Sequence, residues 1–263
     1  MPYNPFSKAV EFAGFTFDAY ADRAIYWPLA RALIVADVHI GKAASFRAGG
    51  VPVPSGCTEK DLGRLSVLLE HTKAERLIIV GDFLHAAEAH VCMEQVMPWR
   101  KRHDRVAIDL VLGNHDRKAG AMADELCIRH IENSFEERGL TFVHDPDHAD
   151  PAKPSIAGHV HPMVTLSDFD GSGVKVPCFV MDPTLLILPS FGSFTGGVCL
   201  PNTPSRRRFI AAAGRVVELP RAAAGSKAAK AATPALAGAA GRKTPAVRSP
   251  APPAAGRAPD RRS

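Results

Sequence analysis

No stretch of this sequence holds eighteen consecutive apolar residues, so no transmembrane helix is expected. The opening residues, MPYNPFSKAVEFAGFTF, lack a basic start followed by a long apolar segment, and they read as no secretory signal. Cysteine is sparse. The five cysteines (Cys57, Cys92, Cys127, Cys178 and Cys199) are odd in number, scattered and without a C-x-x-C pair. That argues against a disulfide frame or a zinc ribbon and fits reduced thiols in a cytoplasm. No internal repeat is present.

What is there is enough apolar residue, 46% of 263, to bury one sizeable α/β core or two small ones. The net charge of +5 is unevenly spread. Residues 221–263 carry nine Lys/Arg and one Asp, leaving 23 Lys/Arg against 26 Asp/Glu in residues 1–220. The basic character therefore belongs to the tail. The tail is Ala, Pro and Gly with spaced cations and one Leu. It cannot bury enough apolar surface to offset its ordering entropy, and disorder is expected there. It reads either as a polyanion-binding arm or as a solvated extension. Residues 1–220 are expected to form the folded domain.

The folded part alternates. EFAGFTFDAY, RAIYWP and RALIVADVH read as strands. TEKDLGRLSVLLEHTK reads as a helix, with Leu62, Leu65 and Leu69 on one face and Thr58 as its cap. RLIIVGDFLH and VAIDLVLGNHD are apolar strands with polar ends. CMEQVMPWRKRHDR reads as a helix that Pro98 should kink or split, and a short helix is expected around 122–126. LTFVHD, PSIAGHVHP, LLILPSFGSF and RRFIAAAGRVVEL follow as strands. This order predicts a largely parallel sheet with crossover helices, then a second sheet of mixed or antiparallel strands.

Five strand ends are polar in the same way. They deliver Asp37 and His39, then Asp82 and His85, then Asn114, His115 and Asp116, then His144, then His159 and His161. Ligands of open α/β sheets bind beyond the carboxyl ends of the strands. Asp37 and His39, two apart in an extended strand, would point the same way. Asp is a hard oxygen ligand that can bridge two ions. Neutral His suits manganese, iron or zinc, and Asn adds a carbonyl oxygen without charge. Glycine precedes Asp82, Asn114 and His159, where a sharp turn or a close backbone approach is needed.

The blocks D-x-H, G-D-x-x-H, G-N-H-D, a single His and G-H-x-H, in that order across residues 31–162, resemble the calcineurin-like metallophosphoesterase superfamily. ADVHIGKAASFRAGGVPVP, GDFLH, AGHVHP and LPSFGSFTGG extend the likeness to the bacterial DNA ligase-associated metallophosphoesterases, a family of DNA damage response endonucleases. The resemblance implies a four-layer α/β/β/α sandwich and two divalent ions, manganese first, with iron or zinc as alternatives. Carried over by motif, Asp37, His39 and His161 hold one ion, Asn114, His144 and His159 hold the other, and Asp82 bridges them. The implied reaction is attack of a metal-bound hydroxide on phosphorus. His115 protonates the leaving oxygen or steadies the transition state, and Asp116 orients His115. The implied substrate is nucleic acid, DNA above all, with DNA ligase or helicase repair partners.

Other residues carry two readings each. His148 is the rival to His144. His85 either meets substrate or packs as an ordinary histidine. Lys42, Arg47 and Arg117 either meet phosphate oxygens or are solvated cations. In FGSFTGG, glycines with Ser193 and Thr195 form an anion nest and Phe191 and Phe194 stack on bases, or the segment is a packed turn. A phosphoesterase of small nucleotides or phosphoproteins would use the same metal motifs. A non-catalytic scaffold would have lost ligands or the G-N-H histidine, and all are intact here.

Overall fold

The computed structural model describes residues 6–85, 92–119, 126–167 and 173–223. The helix expected around 122–126 falls almost wholly outside these residues, and so does the basic tail from 224 onward. No helix among the described residues is long and apolar enough to cross a membrane.

The chain begins with strands β1 (Ser7–Phe12), β2 (Phe15–Tyr20), β3 (Ala24–Trp27) and β4 (Ala32–Val35). Helices α1 (Lys42–Ala48) and α2 (Cys57–Thr72) lead to β5 (Arg76–Val80). Then come α3 (Met93–Arg102), β6 (Ala107–Val111), α4 (Asp116–Ala119) and β7 (Arg129–Ile131). A strand-rich half follows: β8 (Ser134–Glu137), β9 (Leu140–Val143), β10 (Ser155–Ala157), β11 (Pro162–Ser167) and β12 (Gly173–Met181). It closes with β13 (Leu185–Ile187), β14 (Val198–Cys199), β15 (Arg207–Ala212) and β16 (Arg215–Leu219).

The first seven strands form one sheet in chain order, antiparallel from β1 to β4 and parallel from β4 to β7. The other nine form a mixed sheet, in which β9, β10 and β13 run parallel. The central strands of the first sheet are apolar but for Arg76 of β5 and Asp109 of β6, which pair with each other, because both faces are covered. Leu33, Val35, Leu77, Ile79, Ile108 and Leu110 face a core with Leu62, Leu65 and Leu69 of α2 and Val96 and Trp99 of α3. The intervening Ile34, Ile78, Val80 and Val111 face Phe142, Ile156, Phe179 and Phe209 of the second sheet. The order is therefore helices, sheet, sheet. The far face of the second sheet carries a small cluster of Val164, Cys178, Val180 and Ile187, packed against Leu200 and Leu219. No α-helix among the described residues covers it, so the described part has three layers where four were expected. Hairpins join β8 to β9, β11 to β12 and β15 to β16, and such links need no crossover helix.

Three local expectations are corrected. EFAGFTFDAY and RRFIAAAGRVVEL are hairpins, not single strands. Their turns are Ala13-Gly14 and Ala213-Gly214, with all four residues at positive φ. Two positive φ values in a two-residue turn match strand twist, but Ala is not a usual signal for them. Thr58 is not the cap of α2. Gly56 precedes the helix, and the Thr58 hydroxyl contacts Cys92 Sγ at 3.4 Å. Helix α3 runs through Pro98 unbroken. Pro98 is exposed, so the Glu94 carbonyl it leaves unpaired lies on the solvent side while Val96 and Trp99 anchor the buried side.

Candidate metal centre

The five polar strand ends converge. β4, β5 and β6 of one sheet and β9 and β10 of the other all point their carboxyl ends at one place, and parallel bridges Ala36–Ser190 and Ile40–Leu84 extend the strands into the loops beyond. Asp37 N–H donates to the Gly81 carbonyl and His39 N–H to the Asp82 carbonyl, at 3.0 and 2.9 Å. The local geometry is not extended strand. Asp37, His39, Asp82, His159 and His161 all lie in the left-handed region, with φ between 50° and 69°. Side-chain alternation along a strand is thus not what aims Asp37 and His39 together. Left-handed residues turn the chain at each strand end, a strained choice for histidine that surrounding contacts must hold in place.

Two groups of side chains result. The ligand atoms of Asp37, His39 and His161 lie within 4.8 Å of one another, and so do those of Asp82, His144 and His159. His39 Nε2 is 3.2 Å from His161 Nε2, and His159 Nδ1 is 3.1 Å from His144 Nε2. Asn114 Oδ1 stands 3.4 Å from His144 Nε2. Asp82 Oδ2 lies between the groups, 3.8 Å from His39 Nε2 and 3.7 Å from His144 Nε2. Its Oδ1 accepts the His115 N–H at 2.9 Å.

Tautomers follow from the carbonyls. His144 Nδ1–H donates to Val80 O at 3.1 Å and His161 Nδ1–H to Gly196 O at 3.0 Å. Each therefore turns the Nε2 lone pair inward. Burial, helped by Lys42 and the neighbouring imidazoles, holds His39 far below the usual imidazole range, so it is neutral. Asp37 Oδ2 accepts the His159 N–H at 2.9 Å, whereas Oδ1 is buried with no hydrogen-bond partner. Carboxylate oxygens, an amide oxygen and imidazole lone pairs thus face one another. That donor set fits divalent cations.

Glycine is required by contact at Gly81, Gly113 and Gly158 among others. A Cβ at Gly81, whose φ is +79°, would fall 1.9 Å from His144 Nδ1. One at Gly113 would fall 2.1 Å from Asp82 Oδ1 and 2.5 Å from its backbone N. Gly113→Ala is therefore expected to displace Asp82. It should cost roughly 1–3 kcal/mol of stability by overpacking and weaken metal binding at least about tenfold. Thermal unfolding and metal titration check this, and unchanged metal affinity would show that the Asp82 loop gives way freely.

The remaining candidates sort by position. His144, not His148, enters the cluster, and His148 is exposed. His85 Nδ1 lies 3.3 Å from His39 Nδ1, and its ring stacks on His115 at 4.4 Å. His39, His85 and His115 form a third close group, which the motifs alone do not announce. Burial lowers the His115 pKa, against the pull of Asp82. Asp116 does not hold the His115 ring. Its oxygens accept the N–H groups of Leu84 and Gly113 at 2.9 and 3.0 Å, and His115 Nδ1 is buried without a partner. Asp116 pins two strand-end loops together, and burial pushes its pKa up to about 6. Lys42 opens α1. It is half-buried beside the cluster, and desolvation lowers its pKa. Arg47 is exposed and donates to the Pro54 carbonyl at 3.1 Å. Arg117 pairs with Glu132 at 2.9 Å.

FGSFTGG is a buttress. Ser190 Oγ donates to the Asp37 carbonyl at 2.7 Å, and the Phe191 N–H to Ala36 O at 2.8 Å. The Ser193 hydroxyl and N–H both go to Asp61, and Arg64 binds Asp61 and the Phe191 carbonyl at 2.9 Å each. Arg64 also covers the buried Phe191 ring at 4.2 Å. The packed-turn reading accounts for Phe191, Gly192 and Ser193, whose N–H groups are already used. No sequence signal marked Asp61, Arg64 or Arg23, whose guanidinium donates to Gly192 O at 3.0 Å.

Fold and site define an α/β protein whose parallel strand ends carry a largely buried cluster of His and Asp suited to metal ions. A nuclease of Pseudomonas putida, MPE, has a solved structure that matches it at 40% identity and a TM-score of 0.71, over 81% of this chain and 100% of that one. The chain belongs to the family of that nuclease. A protein of unknown function from Aquifex aeolicus matches 49% of this chain and 78% of its own, at 19% identity and a TM-score of 0.36, too low to bear on fold or site. No family model and no curated protein matches the chain.

Proposed function

We propose that the protein is a dinuclear metal-dependent phosphodiesterase of the calcineurin-like superfamily that hydrolyses nucleic acid, DNA first. The observation that carries this reading is Asp82 Oδ2, almost equidistant from the Nε2 atoms of His39 and His144 in two separate ligand groups. Kinship with a nuclease supports it. Asp37, His39 and His161 would hold one ion and Asn114, His144 and His159 the other, with Asp82 shared, and the ions would supply activation of water and charge neutralisation at phosphorus.

The chain's own groups do the rest. The Nδ1–H bonds of His144 and His161 fix their rings. Asp116 and the Ser190–Ser193 segment fix the loops bearing Asp82, Asn114 and Asp37. His115, stacked on His85, offers its imidazole to the oxygen leaving phosphorus. With Nδ1 buried, the proton is presented at Nε2. Lys42 stands at the rim to meet a phosphate oxygen. A place in DNA repair beside a ligase or helicase belongs to the same reading and rests on the resemblance in the motifs.

The test is an assay of the purified protein on single-stranded DNA, duplex DNA, RNA and p-nitrophenyl phosphodiesters. Chelation is expected to abolish cleavage and manganese to restore it. Cleavage that survives chelation, or activity confined to phosphomonoesters, overturns the proposal.

A further inference from the structure

A cavity of about 420 Å³ opens beside Asn114, His144 and His159. On the side of His39 and Lys42 there is only a crevice of about 10 Å³. Of these two spaces beside the cluster, the one at Asn114, His144 and His159 is the roomier among the described residues. Leu112 and buried Val143 give the cavity apolar wall, and the exposed Asn133 and His148 line it as well.

Its charge argues against a second phosphate. The one guanidinium in the wall, Arg117, already binds the Glu132 carboxylate at 2.9 Å and its backbone carbonyl. Asp145 adds a carboxylate, with Oδ2 4.0 Å from His159 Nε2 and Oδ1 accepting the Asp147 N–H at 3.0 Å. Away from the ion proposed at Asn114, His144 and His159, an anion entering here would face this carboxylate, and Arg117, the one Lys or Arg among the described residues of the wall, is already paired. A flat, uncharged group with polar edges fits better. Leu112 and Val143 suit its faces, and Asn133 and His148 can meet its edge.

We infer that this cavity receives a nucleobase of the strand, next to the phosphate lying over the cluster. The inference rests on the nuclease reading and adds a base-binding subsite to it. It assigns a role to His148, which lies outside the ligand set.

The test is binding without metal. Fluorescence anisotropy in EDTA compares a labelled oligothymidylate with an equally long strand of abasic residues. Wild-type protein is expected to bind the base-bearing strand roughly tenfold more tightly. Ser134→Trp, placed at an exposed position of β8 in the cavity wall, should remove most of that preference. Asn133→Ala and His148→Ala, both mild and exposed, should each reduce it about threefold and alter the ranking of thymine against adenine strands. Equal wild-type affinity for the two strands overturns the inference, as does a preference unchanged in all three variants. Hydrolysis of methyl p-nitrophenyl phosphate by wild-type protein with manganese tests the nuclease reading separately, since that substrate carries no base.

Discussion

Asp82→Asn is expected to strip the protein of most bound metal and to lower phosphodiester hydrolysis more than about 100-fold, beyond the usual effect of outer-shell partners. Asparagine is the informative choice. Asp82 sits at φ +50°, a conformation that Asn tolerates better than Ala does. The amide oxygen can still accept the His115 N–H now bound to Oδ1. Backbone and loop therefore persist, and what is lost is the negative oxygen between His39 and His144. Thermal stability of the metal-free variant should match or exceed that of the metal-free wild type, because a buried carboxylate near Asp37 is removed. Elemental analysis of the purified variant decides the matter. Two metals per chain, fully retained, would sink the bridging role.

His115→Ala should behave in the opposite way, keeping its metal and losing turnover. His115 lies outside both the Asp37–His39–His161 group and the Asp82–His144–His159 group, and its ring rests on His85 instead. A general acid contributes typically 10²–10⁴-fold, and a loss in that range is expected on DNA, whose leaving alkoxide needs a proton. On a p-nitrophenyl diester the loss should be much smaller, since that leaving group departs without protonation. Equal losses on both substrates would remove the acid role and leave charge stabilisation by the imidazole. Metal content measured alongside separates either outcome from damage to the site.

The candidate donors were legible along the chain because few residue types can bind a metal ion. Few side chains offer hard oxygen or imidazole nitrogen, and each block follows an apolar run that could only be a buried strand. Asp37, His39, Asp82, Asn114, His144, His159 and His161 stand out at such strand ends, the resemblance in the motifs names them as a ligand set, and the structure brings all of them together. The helix α2 was equally plain, since Leu62, Leu65 and Leu69 recur at helical spacing.

What only the tertiary structure decided has one physical root: it depends on the sign of φ or on partners far away in sequence. The five left-handed residues at the site follow no periodicity, so strand alternation suggests that Asp37 and His39 converge but does not supply the cause. The Ala-Gly turns hid two hairpins for the same reason. Asp116 reads like a partner for the adjacent His115, yet its oxygens bind Leu84, 32 residues away, and Gly113. The Asp61–Arg64–Ser193 buttress spans up to 132 residues and joins side chains that look like ordinary surface charges. The cavity beside His144 needs Leu112, Asn133, Val143 and His148 brought together from separate strand ends and loops. Local sequence determined which atoms can bind metal, because ligand chemistry is a property of single side chains. Packing across two sheets decided which of them face one another, because direction in space is set by the whole fold.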